Sequence, residues 1–225
     1  VADASFLPRV YASDEAVYVN GNYQSLPSLL NTSYVGSRPV VLFSEDNPTL
    51  RPTDLHQTRL VSMEGERWQD TSPNPSTSGA HPAVRFTQVN PTKYIATVDG
   101  AGRPFWLTLS QNFHPYWRVY IVTSHTPAYR RIDRSALLSA FMNRSNMSMV
   151  QEHVKANGFA NAWYIDPQGR EVVEVILEYW PQRLLEAVWV IEGAVLTVAV
   201  SYLWVFWVWR RQASMRDRSH TETSG

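Results

Sequence analysis

The sequence predicts a mainly β chain: an antiparallel β-sandwich of the jelly-roll kind followed by one C-terminal transmembrane helix. Three observations carry that expectation. Apolar residues alternate with a period of two in several segments between Lys93 and Tyr179, as in half-buried strands. Turn-forming residues separate those segments. Near the C-terminus the run LLEAVWVIEGAVLTVAVSYLWVFWVW covers residues 184–209, and 193–209 carries no charge, which matches the shortest spanning helices.

From the N-terminus onward, short apolar runs lie near Val10 and Val17, the segment VVLF at 40–43 has strand character, and a short helix is expected at 26–30. Residues 69–82, QDTSPNPSTSGAHP, have no apolar period and read as a linker. KYIATV at 93–98 is the next strand. In the two after it, Phe105, Leu107 and Leu109 alternate with Trp106, Thr108 and Ser110, and Trp117, Val119 and Ile121 with Arg118, Tyr120 and Val122. NFHPY at 112–116 and DPQG at 166–169 are expected to turn the chain between antiparallel neighbours. RSALLSAFM at 134–142 has helical spacing. In VVEVILEY at 172–179, Val173, Val175, Leu177 and Tyr179 alternate with Glu174 and Glu178, so one face should be apolar and the other wet. The expected organisation is an N-terminal β-containing subdomain (1–68), the linker (69–82), a β-sandwich domain (83–182), a transmembrane helix (183–209) and a basic tail (210–225).

A helix apolar on every face has no side to show to water, so lipid is its expected surroundings. Trp180 and Trp189 at one end, and Trp204, Trp207 and Trp209 at the other, suit two headgroup layers. Arg210, Arg211, Arg216 and Arg218 follow the span, whereas Glu178, Arg183 and Glu186 precede it. The positive-inside rule then puts the tail in the cytoplasm and the β domain outside a single-pass cell membrane protein. Glu192 lies within about two helical turns of the outer end, where it reaches the interface or meets another helix. Residues 1–20 lack the basic and apolar regions of a signal peptide, so an upstream delivery segment is expected.

Composition narrows the functional classes. Twenty basic residues balance twenty acidic ones, so no single-sign field favours nucleic acid. The absence of cysteine excludes disulfides, thiolate metal sites and a cysteine nucleophile. His81, His114, His125 and His153 show no metal-ligand spacing, and no hydrolase elbow, phosphate loop or carboxylate pair appears. No catalytic residue, metal or cofactor is therefore expected, and this chain alone is not expected to be an enzyme. Glu45, Asp46 and Asn47 form an oxygen-rich group that reads as a solvated loop more readily than as a calcium site. The sequons at Asn31, Asn143 and Asn146 are too short to decide anything.

Asn157, Asn161 and Trp163 are the candidate glycan-binding residues: amides bond hydroxyls directionally, and an indole face covers the apolar side of a pyranose. Against this, Asn-Gly is an ordinary turn, and Trp163 alternates with Ile165 as a core residue would.

Taken in order, LPRVY (7–11), VVLFSEDN (40–47), VNPTKYIATVDGAGRPFWLTLSQNFHPYWRVYI (89–121), HVKANGFANAWYID (153–166) and VILEYWPQRL (175–184) resemble a known pattern. It is the C-terminal extracytoplasmic region of large polytopic envelope proteins of the YfhO-like and arabinofuranosyltransferase-like kind, in the superfamily of lipid-sugar-dependent glycosyltransferases. The resemblance covers most of residues 6–209, with Tyr116 standing where a Gly is common. It implies a galactose-binding-like sandwich beside a glycosyltransferase membrane core, and it carries over no catalytic residue, because the family's acidic residues lie on N-terminal loops. The resulting expectation is a non-catalytic accessory module that binds or positions a cell-envelope glycan. Its partners would be the lipid bilayer and an upstream polytopic region or other transmembrane helices. The alternative is a structural or assembly module that packs on membrane proteins without binding sugar.

Overall fold

A computed structural model describes residues 7–32, 38–51, 58–64, 67–71, 82–122 and 147–221. The chain is mainly β, with three sheets and a long apolar C-terminal helix. The strands are β1 (Val10–Ser13), β2 (Ala16–Val19), β3 (Val41–Phe43), β4 (Thr58–Glu64), β5 (Arg67–Asp70), β6 (Ala83–Asn90), β7 (Lys93–Asp99), β8 (Phe105–Leu109), β9 (Trp117–Val122), β10 (Met147–Met149), β11 (His153–Ala156), β12 (Ala160–Ile165) and β13 (Val172–Tyr179). Helix α1 (Leu26–Leu30), preceded by a 3-10 turn, lies where the sequence suggested it, and α2 covers Trp180–Thr221. The expected helix at 134–142, with His81, His125, Asn143 and Asn146, lies outside the described residues.

The first sheet has the order β1-β8-β12-β11 and the second β10-β9-β13-β7-β6, all pairs antiparallel. Their facing sides share one core. Val10, Phe105, Leu107, Leu109, Trp163 and Ile165 come from the first sheet, and Tyr94, Val98, Trp117, Val119, Val175 and Leu177 from the second. The third sheet, β3-β2-β4-β5, departs from the antiparallel expectation, because β2 runs parallel to both β3 and β4. The reason is local: α1 lies between β2 and β3, and a helical crossover returns the chain to the same end of the sheet.

The third sheet also explains a second departure. The first sheet is covered on both faces. Trp106, Ala162, Val154 and Tyr11 on its outer face pack with Ala16, Val40 and Leu42. The other side of the third sheet closes over Leu29 of α1, with Val17, Val19, Val41, Phe43 and Val61. Trp106 and Thr108 are consequently fully buried, not wet. On β13, Glu174 and Glu178 are also buried, and the register sets Glu178 opposite both Lys93 and Arg118.

The two predicted turns do not join hairpin partners. β8 and β9 belong to different sheets, so the 110–116 connection arches across the end of the core, and the 166–171 connection likewise carries β12 of the first sheet to β13 of the second. A period of two fixes which face of a strand is apolar; it does not choose the neighbour. β1 pairs with β8, which ties the chain ahead of position 69 into the first sheet, and Gln69 and Asp70 of the predicted linker lie in β5.

Helix α2 begins at the residue after β13. Pro181 has no amide to give a ladder and suits a first helical turn, while the Trp180 N–H finds a partner in Tyr116 O at 3.0 Å. The helix runs through the predicted span and beyond Arg210 and Arg211 into the expected tail. Residues 180–211 are long and apolar enough to cross a membrane, and Leu196, Val198, Leu203 and Phe206 are exposed.

Candidate functional site

Asn161 sits on β12, two residues before Trp163 and on the same face, so its side chain enters the end of the shared core. Its amide is fully committed. Oδ1 accepts from the His114 N–H at 3.1 Å and lies 3.1 Å from His153 Nε2, while Nδ2 donates to Gln111 O at 2.9 Å and Asn112 O at 3.3 Å. Those bonds fix the amide's orientation, so His153 must carry its proton on Nε2. The backbone of the 110–116 arch is thereby fastened to β12.

His153 lies opposite Trp163 across the β11–β12 ladder, and the two rings stack at 4.6 Å and 8°. Burial lowers the His153 pKa to about 4, against a smaller upward effect of the Asn161 bond, so the ring is neutral at pH 7. Trp163 itself is fully buried, and its indole N–H has no hydrogen-bond partner among the described residues.

Asn157 occupies the β11–β12 turn, where Asn157 and Gly158 have φ of 54° and 78° and the Phe159 N–H bonds Ala156 O, as in a type I′ turn. Its Oδ1 accepts from the Val41 N–H at 2.8 Å, and its own N–H donates to Val41 O at 2.7 Å. Nδ2 donates to Pro39 O at 3.1 Å and to the Tyr11 hydroxyl at 3.0 Å. Burial pushes the Tyr11 phenol up, partly offset by its hydrogen bond with Asn157, so it stays protonated and donates to Pro39 O.

The surface expected from Asn157, Asn161 and Trp163 is therefore not what the fold builds. The indole shows no face to solvent, Asn161 is buried, and every polar atom of the two amides already has a protein partner. Their roles are to hold the first sheet to β3 and to the arch.

The acidic loop is used in the same way. Asn47 accepts from the Lys155 N–H at 2.9 Å and donates to Lys155 O at 2.9 Å, so one side-chain amide pairs with the edge of β11 as a strand would. Asp46 meets Lys155 Nζ at 2.7 Å. Among the described residues no three His or acidic side chains are grouped to hold a metal.

Where β13 meets α2, aromatic rings gather. His114 lies 4.9 Å from Tyr116 and 5.2 Å from Tyr179, Trp117 lies 5.6 Å from Tyr179, and the Arg118 guanidinium sits 4.8 Å above the Trp180 ring. Trp180 is thus only partly exposed, whereas Trp189, Trp204, Trp207 and Trp209 are open on α2, where Arg211 covers Trp207 at 4.9 Å. Arg210 lies on the same helix.

No protein-family model matches this chain, and no curated protein or solved structure is significantly similar to it. Sequence reasoning missed the parts played by Asn47, Tyr11 and His153. Only the Asn-Gly pair announced its turn; the partners of Asn47 and Tyr11 lie far away in the chain.

Proposed function

We propose that this chain is a non-catalytic, membrane-anchored extracytoplasmic module with a structural or assembly role in an envelope membrane protein. The observation that carries the reading is the direct passage of β13, a central strand, into α2 at Trp180. A strand that runs into the span with no intervening linker suits a module carried directly on its membrane anchor. The arginines after Trp209 support a cytoplasmic tail. Two antiparallel sheets around one core support the jelly-roll, galactose-binding-like description; the parallel pairs of the third sheet lie outside it. The envelope glycosyltransferase context rests on the sequence resemblance. Positioning of a glycan has no support from Asn157, Asn161 and Trp163, whose recognition groups are spent inside the fold.

The absence of cysteine makes the topology directly testable. A membrane-impermeant maleimide on intact cells should label Gln69→Cys and leave Ser214→Cys unlabelled until the membrane is opened. The reverse pattern would overturn the orientation, and release of the chain by alkaline carbonate would overturn the anchor. Saturable binding of an envelope oligosaccharide, abolished in folded Asn157→Ala or Asn161→Ala variants, would restore the glycan reading.

A further inference from the structure

Among the described residues, the two ends of the β domain differ in what they expose. At the end where β13 gives way to α2, the chain also places the arch at 110–116, the β11–β12 turn and the residues leading into β1. Three hydrogen bonds tie these together: Phe113 N–H to Phe159 O, Ser110 N–H to Arg9 O, and Trp180 N–H to Tyr116 O. Tyr23 joins the group because its Cβ packs against Gly158. Tyr23 is 56% exposed, Tyr116 49%, Phe159 47% and Leu7 40%, with Arg9 also exposed beside them. At the far end, the described connections at 14–15, 100–104 and 166–171 carry Asp14, Arg103, Asp166 and Glu171. Among the described residues, Val172 is the only large exposed hydrophobic there.

We propose that this aromatic end, with Tyr23, Tyr116 and Phe159 at its rim, is a second membrane-contacting element that seats the domain in the lipid headgroup layer. The inference rests on the membrane-span reading and adds to it the attitude of the domain. Tyr beside Arg is the residue chemistry of the headgroup level, where rings meet the acyl boundary and guanidinium groups meet phosphate. Continuity supplies the height. Residues 187–209, interrupted by Glu192 alone, would rise about 34 Å as a helix, enough for the hydrocarbon core. Trp180 then stands about 10 Å outside that core, comparable with the thickness of a headgroup layer, and Tyr116 is bonded to it.

The test uses the full chain reconstituted in phosphatidylcholine–phosphatidylglycerol vesicles, with one cysteine-linked fluorophore at a time. A label at Phe159→Cys, and independently at Tyr23→Cys, should be quenched by a headgroup nitroxide lipid as strongly as one at Arg183→Cys. It should be quenched several-fold more than one at Val172→Cys, which the eight residues of β13 hold about 23 Å from Tyr179. A label at Val198→Cys, read with an acyl-chain nitroxide, reports on the span itself. If 198 is quenched while 159 and 23 match 172, the seating is wrong, the span stands, and the rim is left as a surface for a protein partner. If 198 is not quenched, the span reading falls and takes this inference with it.

Discussion

Asn161 shows how a residue suited to one chemistry can be consumed by another. Its amide satisfies three backbone groups of the arch and one imidazole, so Asn161→Ala would take their side-chain partner from two carbonyls and one N–H, all part-buried. Urea denaturation of the detergent-solubilised chain should show a loss on the order of 1–3 kcal/mol. Trp163 separates packing from polarity. Its indole N–H has no partner among the described residues, so Trp163→Phe should cost less than Trp163→Ala, which should cost about 3–5 kcal/mol, measured the same way. His153 predicts a pH dependence. Its folded pKa is about 4 against an ordinary 6.5, so below pH 6.5 the unfolded chain takes up a proton that the folded chain refuses. Stability is therefore complete above that pH and falls as the pH drops toward 4, by up to about 3 kcal/mol. Urea midpoints across this window should move less in His153→Gln, whose amide can still donate to Asn161 Oδ1.

Among the elements, the turns separate local from long-range causes. Gly158 and Gly169 have φ of 78° and 76°, so alanine is strained at either. Only at Gly158 would the new Cβ meet another element, Tyr23 Cβ at 2.7 Å, while at Gly169 nothing lies within 4 Å. Gly169→Ala should cost about 1 kcal/mol and Gly158→Ala about twice that or more, read as the difference in thermal midpoint. The arch is the counterpart case. Its residues read as a turn and do turn, but the strands it joins find their partners elsewhere: β8 between β1 and β12, β9 between β10 and β13.

For the whole molecule, the consequence of layering is that the N-terminal strands cannot be removed without opening the cores behind them. A truncation ending at Trp180 keeps all three sheets and sheds the apolar helix. It should be soluble and unfold in one cooperative transition with a β-type circular dichroism spectrum. Beginning that fragment at Ala83 should abolish the cooperative transition. Val10 and Ala12 would leave the shared core, and Trp106 and Ala162 would lose Tyr11, Val40 and Leu42 from above them. A fragment from Ala83 that melts as sharply as the longer one would overturn the layered account.

Features whose physics is local are legible in the chain before it folds. The alternation in 93–98, 105–109, 117–121 and 172–179 placed β7, β8, β9 and β13, because side chains on a strand alternate whatever lies beside it. The spacing at 26–30 placed α1, the Asn-Gly pair placed its turn, and the apolar run placed α2. The partners were decided in three dimensions. Whether Trp106 faces water or a third sheet, whether NFHPY closes a hairpin or an arch, and whether Asn157 meets a sugar or Val41 and Tyr11 all depend on residues up to 146 positions away. Buried amides show the reason most directly: Asn161 carries the same donors and acceptors in either role, and only the folded chain brings Gln111, Asn112, His114 and His153 close enough to occupy them.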